Sequence, residues 1–175
     1  NLDYVLEKNP FIVSKLFTQR KSYAKKVLET SNNESKNNIG VFAGCASDIF
    51  QKNVANDCIE VLQKNGFKSE IIKNVECCGS LDYNSGRINK GLEYNSHANS
   101  EFSSGKYEKI IGYASGCSSF INKNSSANIY QDATSFILNL ICNKKNKFKK
   151  TKKNICIHRP CTSKSADIDF EKLIN

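Results

Sequence analysis

The stretch Ile39-Gly40-Val41-Phe42-Ala43-Gly44 decides the fold of this chain, because it is a short apolar run that ends in glycine. Such a run, without alternating polar residues, is typical of a strand buried on both faces of a parallel sheet. A helix pattern follows directly, with Ser47 and Asp48 as candidate caps. Its predicted buried face consists of Ile49, Val54, Cys58, Ile59, Val61 and Leu62. This strand followed by a helix predicts an α/β fold.

The same alternation of strand and helix continues along the chain. Further strands are predicted at Ser69 to Val75, Lys109 to Ala114, Asn128 to Tyr130 and Asn154 to Ile157. Helices are predicted from about Asn84 to Ser103 and from Asp132 onward. The pattern therefore predicts a parallel, Rossmann-like sheet with helical crossovers, preceded by a helical segment that Pro10 interrupts.

Composition divides the chain into four predicted parts. Residues 1–37 are a helical connector with a polar linker, and residues 38–143 are a cysteine-rich α/β domain. Residues 144–153 hold seven lysines, and residues 154–175 open a second domain of the same kind. The net charge of +9 comes largely from this lysine run, which is either a solvated linker or a segment that binds a polyanion. The chain contains no methionine, so we expect it to be a fragment or a processed product.

Five of the eight cysteines follow predicted strand ends, where parallel sheets form their binding crevices. These five are Cys45, Cys77, Cys78, Cys117 and Cys161. Cys58 and Cys142 fall on helix faces and Cys156 falls inside a predicted strand, so we interpret these three as small buried apolar residues. Disulfide scaffolds are small and rich in loops, whereas this chain has long regular elements, so reduced thiols are expected.

The five-residue stretch Glu76-Cys77-Cys78-Gly79-Ser80 is the centre of this arrangement. Gly79 can adopt positive φ and bring the backbone close to a bound species. Predicted helix starts beside the cysteines offer free N–H groups, which favour thiolates over thiols. Zinc usually takes short paired spacings, whereas 31 residues separate Cys45 from Cys77 and 38 separate Cys78 from Cys117. The alternatives are therefore an iron–sulfur cluster, which this pattern favours, zinc, a dithiol redox pair, or purely structural cysteines.

Taken together, these landmarks resemble the cysteine-rich CCG domain. The resemblance is carried by Gly44-Cys45, Cys77-Cys78-Gly79, Ala114-Ser115-Gly116-Cys117, Asp132 with Phe136, and His158-Arg159-Pro160-Cys161-Thr162. This domain is found in the iron–sulfur subunit of glycolate oxidase, in lactate-utilisation proteins and in heterodisulfide reductase. The Ala-Ser-Gly-Cys and His-x-Pro-Cys-Thr forms are most similar to the glycolate oxidase subunit. Phe120 stands where heterodisulfide reductase members have a further cysteine, which also favours that subunit.

The resemblance implies that this chain is an electron-transfer subunit of a larger complex. In that complex, a flavin-containing catalytic subunit oxidises a 2-hydroxy acid such as glycolate. Cys45, Cys77, Cys78, Cys117 and Cys161 would bind an iron–sulfur cluster, expected to be of the 4Fe-4S type. His158 would either bind iron, hydrogen-bond a cluster sulfur or cap a strand end. The expected location is cytoplasmic, free or peripherally at the inner face of the membrane, with no nucleic acid as partner. The competing hypothesis is a basic α/β binding module with a structural zinc ion or no metal.

Overall fold

Four parallel strands form the central sheet of this protein in a computed structural model. The structure describes residues 36–51, 53–125, 128–143 and 154–174. Its elements are β1 (Lys36–Phe42), α1 (Cys45–Phe50), α2 (Val54–Lys64), β2 (Phe67–Ile71), α3 (Ser80–Asn84), α4 (Ile88–Phe102), β3 (Lys109–Gly112), α5 (Ser115–Asn124), β4 (Tyr130–Asp132), α6 (Ala133–Asn143) and α7 (Phe170–Ile174), with a 3₁₀ turn at Cys161–Ser163 before α7. The predicted α/β fold with a parallel sheet and helical crossovers is confirmed. The predicted helical segment before it lies outside the described residues.

The strand order in the sheet is β2-β1-β3-β4. The chain moves outward from β1 to β2, then crosses back over β1 to build β3 and β4. The order therefore reverses between β1 and β3, and such a switch point opens a crevice beyond the carboxyl ends of the two strands. Cys45 begins α1 just after β1, and Cys117 lies in the first turn of α5 just after β3. The topology alone thus brings these two cysteines to the same crevice.

Side chains on the two faces of the sheet form two separate cores, because neighbouring strand residues point in opposite directions. On one face, Phe42 and Ile110 pack with residues of α4 and α5, among them Phe102 and Ile121. The other face packs against α2 and α6 and contains Ile39, Val41, Cys58, Leu62, Ile111 and Ala133. The fold is a three-layer α/β/α arrangement that covers both faces of the sheet, which explains why the two central strands, β1 and β3, contain continuous apolar runs.

Several boundaries differ from the predictions. The single helix predicted after β1 is two helices, α1 and α2, and Val54 at the start of α2 is exposed rather than buried. The predicted strand from Asn154 to Ile157 is wrong, since these residues belong to none of the four described strands. A strand needs a neighbour for its backbone hydrogen bonds, and this stretch pairs with none of them.

Two of the three cysteines interpreted as buried are exposed. Cys58 lies in the core as predicted, whereas Cys142 and Cys156 are exposed thiols. Cys142 follows Leu140 by two residues on α6, which turns its side chain about 200° away from that partly buried residue. Cys156 lies in the unpaired stretch whose neighbour Ile155 is also exposed.

The residues after Pro160 pack against the α/β domain, although only fourteen residues follow Cys161, which predicts a poorly anchored segment at 159–175. Ser163, Ala166 and Phe170 are buried. Ser135 at the start of α6 donates a hydrogen bond to the backbone carbonyl of Asp167. The segment is too short to build a core of its own, and it packs on the surface of the preceding domain instead. The proposed division into two domains stays a prediction.

Candidate functional site

The thiols of Cys45, Cys77, Cys78 and Cys117 lie together at the carboxyl ends of β1, β2 and β3. The Sγ atoms of Cys45 and Cys77 are 3.5 Å apart. Cys117 packs against the buried cluster that contains Cys78, and the charges of Cys77 and Cys117 act on Cys45. Two thiolates on one tetrahedral zinc ion would be about 3.8 Å apart, given a metal–sulfur distance of about 2.3 Å. The spacing of Cys45 and Cys77 is therefore close to that of two ligands of one metal ion.

The loop that carries Cys77 and Cys78 is held against α4 by a close backbone contact. Gly79 has φ 87° and ψ −7°, the left-handed conformation that glycine adopts without strain. A Cβ atom on Gly79 would lie 2.0 Å from the carbonyl oxygen of Gly91 on α4. Buried Asn95, one turn further along α4, donates a hydrogen bond of 3.3 Å to the carbonyl of Cys78. The loop therefore has one position on α4, and this position fixes both thiols.

Backbone N–H groups point toward three of the four sulfur atoms. The Gly79 N–H donates to the Cys77 Sγ at 3.3 Å, and the Ala46 and Ser80 N–H groups donate to Cys45 and Cys78. N–H groups at such positions stabilise a thiolate, the form of cysteine that binds metals. The loop and the start of α1 thus supply donors to sulfur as the sequence predicted.

The pKa values of Cys45, Cys78 and Cys117 are shifted by the neighbouring thiols. The pKa of the Cys45 thiol is raised, first by its hydrogen bond with Cys77 and then by burial and by the charges of Cys77 and Cys117. The pKa of Cys78 is likewise raised, mainly by its hydrogen bonds to Cys117 and Cys77. The pKa of Cys117 is lowered, because the Cys78 thiol donates to its sulfur. A cationic group bound among these thiols would favour their ionised forms.

Three buried polar side chains lie beside the thiols: Ser118, Tyr130 and Asp132. No motif in the sequence marks the first two as site residues. Asp132, the last residue of β4, accepts a hydrogen bond from Ser118 at 3.0 Å and caps α6 through the Thr134 N–H at 2.9 Å. The Tyr130 hydroxyl is buried and has no hydrogen-bond partner among the described residues. No sequence signal marked it, because a tyrosine in a short apolar strand reads as a core residue.

The set of side chains fits a thiolate-bound group. Its donors are four thiols on rigid element ends, with N–H groups directed at the sulfurs and an unpaired buried hydroxyl nearby. In the part of the chain that the structure describes, no three His, Cys, Asp or Glu side chains are arranged to hold a single metal ion together. The thiols contact one another in pairs, and a bound group would have to lie between them.

Cys161 and His158 are exposed and stand apart from the four thiols. No hydrogen bond in the described residues joins either of them to a sulfur of this set. The 3₁₀ turn that begins with Cys161 is nevertheless close, since Thr162 Oγ1 and Ser115 Oγ at the start of α5 are 2.7 Å apart. The structure therefore brings four of the six predicted site residues together and leaves two at its border. Their roles as ligands stay predictions.

Comparison with known proteins bears on the α/β domain. Residues 39–122 match a family model described as the CCG cysteine-rich domain. Lactate utilization protein A 1 of Bacillus mycoides is 27% identical over 88 residues, which are 50% of this chain and 35% of that protein. Lactate utilization protein A of Bacillus cytotoxicus is 28% identical over 85 residues, 49% of this chain and 35% of that protein. The chain thus spans about a third of the length of the curated relatives it matches. No solved structure matches it.

The specific similarity to the glycolate oxidase subunit stays a prediction, because the relatives reported above are named for lactate utilization. Helices in the described residues are all too short or too polar to cross a membrane. The matched range contains Cys45, Cys77, Cys78 and Cys117 together with the strands that position them. Residues 39–122 are therefore similar to the cysteine-rich CCG domain and to the corresponding part of the lactate utilization proteins.

Proposed function

We propose that this chain is part of the iron–sulfur electron-transfer subunit of a 2-hydroxy acid oxidoreductase. One observation carries the proposal: four thiols that follow three different strands meet at the switch point of a parallel sheet. A core has no need for free thiols at that place, whereas a bound group at a switch point needs ligands there. The similarity to lactate utilization proteins supports a 2-hydroxy acid as the substrate of the complex.

Cys45, Cys77, Cys78 and Cys117 would hold the cluster, which we propose is of the 4Fe-4S type. An iron–sulfur cluster takes up and releases single electrons when bound. The chain itself would hold the thiolates at the ends of helices and strands and direct backbone N–H groups at their sulfurs. The buried part of the site, around Cys78, would exclude water. The lowered pKa of Cys117 favours its thiolate form, which is the form that binds iron.

The finer features of the proposal come from the resemblance. Glycolate is the proposed substrate of the complex, oxidised by a flavin-containing partner subunit that passes its electrons to this chain. The proposed location is the cytoplasm, either free or at the inner face of the membrane. Assays of electron transfer from glycolate and from lactate, with the complete complex, would separate the two substrates.

The test of the cluster is anaerobic reconstitution of the protein with iron and sulfide, followed by iron and sulfide analysis and a visible spectrum. A brown protein with iron and acid-labile sulfide in equal amounts is expected. Cys45→Ser, Cys78→Ser and Cys117→Ser should each lose most of the iron. Cys142→Ser is the matched control, because this thiol is exposed on α6 and should leave the iron content unchanged. A colourless protein that takes up zinc but no iron would contradict the proposal and favour the basic binding module.

A second experiment concerns the border residues. If Cys161 supplies a fifth ligand, Cys161→Ser should lower iron content although its side chain is exposed in this conformation. His158→Ala should shift the reduction potential without loss of iron if the imidazole donates to a cluster sulfur. If both variants match the unmodified protein in iron content and reduction potential, the site is restricted to the four thiols.

A further inference from the structure

Tyr130 is a buried residue whose hydroxyl group has no use in the fold itself. The residue is 4% exposed, and its hydroxyl makes no hydrogen bond with the described residues. A desolvated hydroxyl without a partner destabilises a folded protein, and most buried polar side chains have at least one partner. A phenylalanine would fill this core position without that disadvantage. The hydroxyl therefore calls for an explanation outside the packing of the core.

The ring of Tyr130 is fixed in place by its aromatic neighbours. It packs against Phe42, with ring centroids 6.4 Å apart, and against Phe102 at 5.9 Å. The backbone is fixed as well, because Tyr130 pairs with Ile110 in the register of β3 and β4. The hydroxyl cannot swing away to find water, so its direction is a built-in property of the core.

That direction is toward the carboxyl end of β3. A Cβ atom on Gly112, the last residue of β3, would lie 1.8 Å from the Tyr130 hydroxyl oxygen, so the ring extends to the end of this strand. The hydroxyl lies within electrostatic range of the sulfurs of Cys117 and Cys78. Both sulfurs belong to the same apolar cluster as the tyrosine ring. The hydroxyl thus faces the buried side of the thiol site.

The neighbouring polar groups are already engaged with one another. Ser118 is close to Tyr130, but no hydrogen bond of acceptable geometry joins their hydroxyl groups. The Ser118 hydroxyl donates to Asp132 Oδ2 at 3.0 Å and approaches the carbonyl of Ala114 at 3.2 Å. Asp132 in turn accepts the Thr134 N–H. Asp132 also acts on the Tyr130 hydroxyl, but each of its two oxygens already accepts a hydrogen bond, so the acceptors left on this side are the sulfurs of Cys78 and Cys117.

We infer that Tyr130 is a positioning residue whose hydroxyl donates a hydrogen bond to a sulfur atom of the group held by Cys78 and Cys117. This inference rests on the proposed function. Hydrogen bonds to sulfur stabilise the more negative, reduced form of an iron–sulfur cluster and so raise its reduction potential. Tyr130 is therefore a residue that sets the potential of the site without being a ligand.

The experiment compares Tyr130→Phe with a matched control, Tyr107→Phe. Tyr107 is also a buried tyrosine, but its hydroxyl donates to Glu70 Oε1 at 2.7 Å and lies before β3, at the opposite end of the strand. In the metal-free, reduced protein, Tyr130→Phe should leave the urea midpoint unchanged or raise it, because an unpaired hydroxyl is removed. Tyr107→Phe should lower the midpoint. If Tyr130→Phe lowers it as much as the control does, the hydroxyl has a partner within the chain and the inference is overturned.

The second measurement uses the reconstituted proteins. Tyr130→Phe should move the midpoint potential in the negative direction by an amount that corresponds to about a tenfold change in the reduction equilibrium, or about 59 mV for one electron. The same variant should lose iron to a chelator faster, whereas Tyr107→Phe should match the unmodified protein in both respects. Equal potentials and equal rates of iron loss in all three proteins would overturn the inference alone. Failure of the unmodified protein to take up iron and sulfide would instead overturn the proposed function, and the inference with it.

Discussion

The contact between the Cys77-Cys78 loop and α4 makes a strong prediction for Gly79→Ala. An L-residue in the left-handed conformation of Gly79 costs about 1–2 kcal/mol. The new methyl group would also lie 2.0 Å from the Gly91 carbonyl oxygen, and this atom is backbone that no side-chain rotation can move away. Overpacking of this kind adds about 1–3 kcal/mol. We therefore expect Gly79→Ala to lower the free energy of unfolding by about 2–5 kcal/mol.

Gly105→Ala is the matched control for this substitution. Gly105 has φ 80°, close to that of Gly79, but a Cβ atom there would meet no atom within 4 Å. Its expected loss is therefore the conformational cost alone, about 1–2 kcal/mol. Urea unfolding of the metal-free, reduced proteins measures both losses, provided that the slope m stays constant. The difference between the two variants isolates the contact with α4.

Displacement of the loop should also be visible at its cysteines. Cys78 is 2% exposed, so a thiol reagent should modify it only slowly in the unmodified protein. In Gly79→Ala the loop must move off α4, and modification of Cys78 should become faster, whereas Gly105→Ala should leave the rate unchanged. Equal losses of stability in the two variants, with unchanged labelling of Cys78, would refute the close packing of this loop.

Three further predictions concern thiol access, a buried amide and a buried carboxyl. Burial raises the pKa of Cys58 to about 11, so a thiol reagent should modify exposed Cys142 quickly and Cys58 only on unfolding. Mass spectrometry would measure both rates, and equal rates would contradict the assignment of Cys58 as buried and Cys142 as exposed. Asn95→Ala should lower the free energy of unfolding by about 1–3 kcal/mol, because it leaves the buried loop carbonyl without its donor. The same urea titration should find almost no change for exposed Asn122→Ala, and a matching loss there would argue against the role of the amide. Burial raises the pKa of Asp132, so its favourable contribution is complete below the unfolded pKa and is lost as pH rises through the folded pKa. Asp132→Asn should therefore lose less stability than the unmodified protein as pH rises above the ordinary aspartate pKa, and identical slopes would contradict the shift.

The sequence was sufficient to predict the two central strands, β1 and β3, and the meeting of the four thiols. Runs such as Ile39–Gly44 are apolar throughout because both faces of the sheet are covered, and this pattern is hard to confuse with a surface strand. The positions of Cys45 and Cys117 then follow from topology, since residues after parallel strands share one edge of the sheet. No distance information was needed for this inference.

Exposure of individual cysteines was harder to predict, for reasons that differ between residues. For Cys142, helical periodicity alone predicts exposure, because Phe136, Ile137 and Leu140 define the packed face of α6 and Cys142 lies off it. For Cys156, local pattern was misleading, since an apolar run becomes a strand only where another strand accepts it. Tertiary contact of this kind is not encoded in the run itself.

The buried amide on α4 lies between these cases. Asn95 occupies the same face as Gly91, Ala98 and Phe102, and a polar residue in such a row indicates a specific internal partner. The identity of that partner, the Cys78 carbonyl, depends on how a loop folds back on the helix. Sequence periodicity could therefore locate Asn95 as unusual but could not assign its hydrogen bond.

The wide separation of the thiols along the chain has a consequence for how the protein matures. In the unfolded chain only Cys77 and Cys78 are neighbours, and joining them to Cys45 and Cys117 means closing loops of 31 and 38 residues, at a cost in entropy. A group that needs all four thiolates therefore has little affinity for the unfolded chain, unlike one bound by a short Cys-x-x-Cys loop. Such a group adds to the stability of the folded chain by mass action, about 4 kcal/mol at a thousand times its dissociation constant. Supply of the group and survival of the chain would then be a single equilibrium, so that scarcity of the group would expose the protein to degradation as well as leave it inactive.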